Sequence, residues 1–413
     1  MFMTINKFRG DGQGSLQETR PLATMPIRLW LFLTLLGTVP TLLLFAQDLL
    51  DLRGMNLISG HVWGRDFVNV WTGGHLVLEG RPDMIYALRD YVAYQRGLVG
   101  PIEPHYYSYP PTSLFLAAPF ALLPYLAALA LWIAGGLALF LWAARPYVRE
   151  VPGFPILFAA ITPAGLINVW AGHYGFLIGA LWLACFARID RRQTAAGAFA
   201  ALLTIKPHLG LLLPPLLLAR RKWRAIAVAA LGSVAMLLAS GAVFGFDLWV
   251  EYATKMSRFQ ASLLDHRTSF FLAMMPGTFI SMRYSGVSDM AAWIPHICAG
   301  VAAAFMVWRA ERKGASLTDL AFISATATFL ILPYAFNYDL TVVCLGFALM
   351  LFRHWGNLPT WQRAALIGGY LSPQMTFLGW ALEAPIVPAV LLAGLYAQLR
   401  LCTREPQPEG PTA

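Results

Sequence analysis

An aspartate that opens an apolar stripe, Arg65-Asp66-Phe67-Val68-Asn69-Val70-Trp71, and a lysine that precedes a proline, Lys206-Pro207-His208, are the residues of this chain best suited to group transfer. A lone carboxylate can take the proton from an attacking hydroxyl, and an ammonium can steady the negative charge that grows on a departing phosphate. Pro207 interrupts a regular helix after Lys206, and the backbone groups it frees would help to hold that phosphate, with His208 beside them. Phe67, Val70, Trp71 and Leu78 share one side of a helix, with a gap at Gly74, and Gly80 with Pro82 closes it. A short amphipathic helix lying at a membrane interface is therefore expected, with Asp66 in its first turn. The same position suits an N-cap whose side chain only accepts from orphan backbone N–H groups, and both roles stay open here.

Other polar residues stand at the edges of apolar segments as candidate substrate contacts: Tyr109, His173, Tyr338 and Asp339, together with Arg267 in the polar run Asp265-His266-Arg267-Thr268-Ser269. Each has a plainer role. A histidine at a turn is ordinarily solvated or hydrogen-bonded, Asp339 suits the N-cap of the helix it precedes, and Lys206 could snorkel to an interface. Beside Asp66 there are no paired acids at Asp-x-Asp spacing, and no His or Cys cluster has ligand spacing, so the sequence makes no case for a metal or other cofactor.

These residues need elements to carry them. Of 413 residues, 58% are hydrophobic and 12% charged, against about 25% charged in soluble domains, so an all-α polytopic membrane protein is expected. The formal net charge of +9 does not point to nucleic acid, because Lys and Arg gather in short clusters between apolar segments without interleaved aromatics. That is the positive-inside pattern. Cys185, Cys298, Cys344 and Cys402 are scattered, which argues against a disulfide framework. Residues 1–26 read as a disordered cytoplasmic segment, 27–400 as one transmembrane domain and 401–413 as a cytoplasmic tail. The first apolar segment, 27–46, reads as a retained anchor. The run 112–143, broken by Pro119 and Pro124, is too long for one straight span and fits a half-inserted piece followed by a full one. Arginine clusters then alternate with apolar segments, and 195–219 becomes a hairpin with Lys206-Pro207-His208 at its outer tip. About twelve spans follow, with both termini inside. Asp66, Tyr109, His173, Lys206 and Asp339 all emerge on the same, non-cytoplasmic side, an ordering that was not imposed on them.

Several motifs recur in order: Asp66-Phe67 with Gly80-Arg81-Pro82 and Ile85-Tyr86, then Tyr109-Pro110-Pro111, Gly172-His173-Tyr174-Gly175, Ile205-Lys206-Pro207-His208 and Phe336-Asn337-Tyr338-Asp339. Over roughly 60–350 the chain resembles glycosyltransferase family 87, the polyprenyl-phosphate-mannose-dependent mannosyltransferase-like membrane proteins. The resemblance implies a GT-C bundle with the catalytic acid in its first outer loop, which assigns the general base to Asp66. It also implies a polyprenyl-phosphate sugar donor, a glycolipid or polysaccharide acceptor, inverting transfer, and a multi-pass place in the inner (plasma) membrane. Lys206 matches the family's lysine before proline. His173 stands where the family usually has glutamine, and Phe336-Asn337-Tyr338-Asp339 stands near the Ser-Trp-x-His of actinobacterial members. Two further readings stay in view. One is a transporter, since broken helices such as the Lys206-Pro207 hairpin also build transport sites, although those lie near the midplane and often within repeats that this chain lacks. The other is a catalytically degenerate envelope scaffold.

Overall fold

The computed structural model describes residues 24–57, 59–263 and 271–402, and these are almost wholly helical. Arg267, residues 1–23 and the tail from 403 lie outside the described residues. Helix α1 (Ile27–Leu50) buries Trp30, Leu33, Thr34, Gly37, Thr38 and Thr41 and turns Leu31, Phe32, Leu35 and Leu43 outward. A soluble protein would reverse that choice. Small and hydroxyl side chains facing the bundle, with leucines outside, is how a helix packs when its surroundings are hydrocarbon.

A hairpin of two-residue strands, β1 (Leu52–Arg53) and β2 (Asn56–Leu57), leads into α2 (Phe67–Leu78) and α3 (Leu88–Val99). On α3 the buried residues Tyr91, Val92, Gln95 and Val99 form a single face, as an amphipathic helix requires. Helix α2 departs from the expectation. From Phe67 to Gly74 every residue is buried, so the helix does not lie on an interface with one side free. A Cβ added to Gly74 would stand 2.5 Å from the Ala117 carbonyl oxygen, and one added to Gly73 would stand 2.6 Å from the Tyr107 ring. What reads in the sequence as a gap in the apolar stripe is the seam on which the neighbouring helix packs.

That neighbour, α4 (Leu114–Ala121), ends before Pro124, and α5 (Tyr125–Arg149) follows, so the long apolar run divides into a short piece and a long one as its prolines predict. Next come α6 (Pro163–Ala171), α7 (Gly175–Phe186), α8 (Gln193–Leu202), α9 (Leu213–Ala219) and α10 (Trp223–Phe244). Two short helices, α11 (Asp247–Glu251) and α12 (Ser257–Leu263), precede α13 (Thr278–Tyr284), α14 (Asp289–Arg312), α15 (Leu317–Ile331), α16 (Thr341–His354), α17 (Thr360–Ala381) and α18 (Ile386–Cys402).

Four of these helices, α1, α5, α10 and α14, are long and apolar enough to cross a membrane, and six shorter stretches are apolar. The expectation of a helical membrane protein is met, but that of about twelve spans is not: among the described residues four helices are long and apolar enough. One expected span is interrupted, 154–170, which is divided into a 3-10 turn and α6 beginning at Pro163, whereas 195–219 breaks at Lys206-Pro207, where the tip of a hairpin was expected. The middle of the bundle is α7, α15 and α16, each buried on nearly every side; on α16 everything from Thr341 to Phe352 is enclosed. Helices apolar all round belong in such a core.

The contact at Gly74 gives a direct test of this packing. Gly74→Ala should destabilise the protein by about 1–3 kcal/mol through overpacking. Gly97→Ala, on the exposed side of α3 with nothing within 4 Å of the added methyl, should stabilise it by about 0.4–1 kcal/mol. Thermal unfolding of the two variants in detergent should shift in opposite directions.

Candidate active site

Asp66 is held by its backbone. The turn before it carries Gly64 at φ 79° and Arg65 at φ 39°, and the Asp66 N–H donates to the Ala171 carbonyl at 3.0 Å, at the end of α6. A Cβ at Gly172 would fall 2.4 Å from the Gly64 carbonyl oxygen and 2.9 Å from Phe67 Cβ, so the loop bearing Asp66 and the turn bearing His173 touch backbone to backbone. Glycine is required there twice over, since Gly172 also has φ 61°. The N-cap role of Asp66 is not realised. Its own backbone is already helical (φ −68°, ψ −17°), its side chain makes no capping bond, and its carboxylate has no hydrogen-bond partner among the described residues. Removal from bulk water raises the Asp66 carboxyl above the usual aspartate range, against the pull of His105, Arg65 and Lys206.

Lys206 stands where Pro207 breaks the α8–α9 hairpin, between two 3-10 turns and with non-helical φ −143°. It does not snorkel. It is buried, and its ammonium donates to Asp339 Oδ2 at 2.5 Å. Asp339 ends the 3-10 turn Asn337–Asp339 ahead of α16, and the N-cap of α16 is Leu340, so this carboxylate is spent on the ion pair and not on a cap. Lys206 Nζ also lies 5.3 Å from the centre of the Tyr338 ring.

Tyr338 stacks on His173, with ring centres 3.9 Å apart and planes at 25°. His173 is neither solvated nor peripheral. Its Nε2 is 2.8 Å from the Tyr109 hydroxyl, and its Nδ1 faces Asp339 Oδ1 at 3.9 Å, each of those last two atoms lacking a hydrogen-bond partner among the described residues. The facing carboxylate favours the tautomer with its proton on Nδ1, which leaves Nε2 to accept from Tyr109. Burial, then the Lys206 charge, holds the His173 imidazole well below its usual range, so it is neutral. Tyr109 is fixed in turn by Tyr86, whose hydroxyl donates to the Tyr109 carbonyl at 2.6 Å.

Thus Tyr109, His173, Tyr338, Asp339 and Lys206 form one connected cluster. Asp66 is near enough for its charge to act on Lys206, Tyr109 and Tyr338. His208 is half-buried in the turn after Lys206, and burial followed by the Lys206 charge pushes it down to about 3, which makes it a neutral group at ordinary pH. An apolar cavity of about 100 Å³ between α4, α5 and α7 reaches this cluster at His173; Phe120, Trp132 and Phe176 are among its walls.

Sequence reasoning passed over two groups. His105 exerts the first of the charge effects on Asp66, and the Asp66 charge also reaches Tyr334. Nothing in the residues around His105 marks it. Tyr334 lies within the Pro333-Tyr334-Ala335-Phe336 run, where its aromatic neighbours make it resemble core.

The buried pair can be tested against its own removal. Lys206→Met alone should cost about 3–5 kcal/mol, because it strands a buried carboxylate, whereas Lys206→Met with Asp339→Leu should recover most of that loss. Thermal unfolding of the single and double variants in detergent distinguishes the pair from two independent contacts.

The family model for glycosyltransferase family 87 matches residues 107–333, more than half of the chain, and that span contains Tyr109, His173, Lys206 and His208. Asp66 and Asp339 lie outside it and are joined to it by the folded structure. No curated protein matches the chain, and no solved structure does. With the matched span, the apolar helices and the polar cluster taken together, the chain belongs to glycosyltransferase family 87 and is a membrane glycosyltransferase.

Proposed function

We propose that the protein transfers a hexose, mannose in the first instance, from a polyprenyl-phosphate donor to a glycolipid or polysaccharide acceptor. The reaction inverts the anomeric centre and takes place at the non-cytoplasmic face of the plasma membrane. The observation that carries this reading is the Asp66 carboxylate, half-buried and without a hydrogen-bond partner among the described residues, near enough to the buried Lys206 ammonium for the two charges to interact. A capping aspartate would have committed both its geometry and its lone pairs to the backbone. This one has committed neither.

The chemistry then follows from charge. Asp66 takes the proton of the acceptor hydroxyl as its oxygen forms the new bond to the anomeric carbon. The bond from that carbon to the phosphate oxygen breaks, and its electron pair leaves with the polyprenyl phosphate. Lys206 is the cation that would meet the growing negative charge, most effectively in a site that excludes water. Because Asp339 already holds Lys206, the phosphate would share that ammonium with a carboxylate. Tyr109, His173 and Tyr338 present hydroxyl, imidazole and aromatic surface suited to a sugar. A transporter would use the broken hairpin at Lys206 differently, and family membership weighs against it.

Transfer of labelled mannose from a synthetic polyprenyl-phosphate-mannose to membrane lipid extract, with wild-type protein and Asp66→Asn in parallel, tests this reading. The asparagine variant should fold and bind donor but lose about 10²- to 10⁴-fold in rate, because an amide cannot accept the proton. Wild-type rates in Asp66→Asn would overturn the base. Transfer of another sugar but not mannose would overturn the donor assignment alone.

A further inference from the structure

Asp66 has to remain aimed and ionised without a side-chain hydrogen bond among the described residues, and the residue before it is built for both tasks. Arg65 has a left-handed backbone, φ 39°, which a bulky residue keeps only where its surroundings over-determine it. Three contacts do so. Its Nη2 reaches both carboxylate oxygens of Asp48, at 2.8 and 3.1 Å. The guanidinium lies over the Trp170 ring, 4.1 Å from its centre, and the Trp170 indole N–H closes the triangle by donating to Asp48 Oδ2 at 2.9 Å. Asp48 is in the last turn of α1 and Trp170 in the last turn of α6. The triangle therefore ties two helices to the loop that presents the carboxylate, and the bond from Asp66 N–H to Ala171 lies one residue beyond Trp170.

We propose that Arg65, clamped by Asp48 and Trp170, is the positioning residue of the active site: it fixes the backbone that presents Asp66 and supplies a permanent positive charge beside its carboxylate. The proposal rests on Asp66 being the base. Among the described residues, the charged and titratable groups that share an electrostatic interaction with Asp66 are Arg65, His105 and Lys206, the acid Asp339, and the phenols of Tyr109, Tyr125, Tyr334 and Tyr338. Lys206 is committed to Asp339. Arg65 carries a guanidinium, whose charge does not titrate in this range.

Steady-state transfer as a function of donor concentration and pH, for wild type, Arg65→Gln, Arg65→Lys, Trp170→Phe and Asp66→Asn, tests the proposal. Arg65→Gln should lower kcat about 10- to 100-fold by misplacing the base. Donor KM should stay within about twofold. The sign of the pH effect follows from charge: loss of a cation beside the carboxyl raises its pKa, so the acid limb of kcat/KM should move to higher pH. Arg65→Lys should keep the limb in place and lose part of kcat. Trp170→Phe, which keeps the ring but not the indole N–H, should also lower kcat without moving the limb. Three results would overturn the proposal: an unchanged kcat with an unmoved limb, a loss expressed wholly in KM, or reduced thermal stability with full activity per folded molecule. If Arg65→Gln does not fold, the lysine and phenylalanine variants carry the test. Full activity in Asp66→Asn overturns the base reading itself, whereas activity lost there but kept in the Arg65 variants overturns only the positioning role.

Discussion

A buried ammonium must find an anion or lose its charge, and Lys206 finds Asp339. The two residues are 133 positions apart, one at the break between α8 and α9 and the other at the 3-10 turn that leads into the core helix α16. Their pairing fastens the hairpin to the centre of the bundle. It also sets the electrical character of the site. With one carboxylate consumed by the lysine, Asp66 is left as the acid without a hydrogen-bonded partner among the described residues. The division of labour between two aspartates, each standing just before a helix, depends on which of them the lysine reaches.

A second constraint is steric. The loop bearing Asp66 and the turn bearing His173 approach so closely that a side chain at Gly172 would collide with the Gly64 carbonyl. That approach makes room for the backbone bond from Asp66 to Ala171, and it brings the Tyr109–His173–Asp339 chain alongside the base. The aromatic layer of Phe336, Tyr338 and His173, stacked in succession, gives this polar cluster a firm wall without adding charge to it. Buried polar networks of this kind are rigid when their members are satisfied, and the unmatched atoms here, His173 Nδ1 and Asp339 Oδ1, face one another.

The membrane supplies the remaining logic. On α1, threonines and a glycine face inward while leucines face out, and α10 and α14 likewise expose Leu231, Val243, Ile294 and Val301. Hydrocarbon outside removes the usual reward for burying leucine, so close packing of small residues decides which face of each helix turns in. The site is therefore assembled at the ends and breaks of helices, where irregular backbone is enclosed by protein.

Much of this was legible in the chain. Low charge, long apolar runs and arginine clusters specify a helical membrane protein, because each helix satisfies its own backbone groups locally. Prolines announce the breaks at 122–124 and at Lys206, since Pro removes an N–H and clashes with the preceding turn. Residue type alone made Asp66, Lys206 and His173 candidates for chemistry. The sequence could not say that α2 is buried on nearly every side, because the glycines that read as a gap acquire their meaning only from Tyr107 and Ala117 packing against them. Nor could it choose between the two aspartates. Capping is a local matter and suited both equally, whereas an ion pair across 133 residues and a clamp joining Asp48, Arg65 and Trp170 exist only once distant helices are brought together. Tertiary packing made that choice, because a charge withdrawn from water takes whichever partner the fold places within reach.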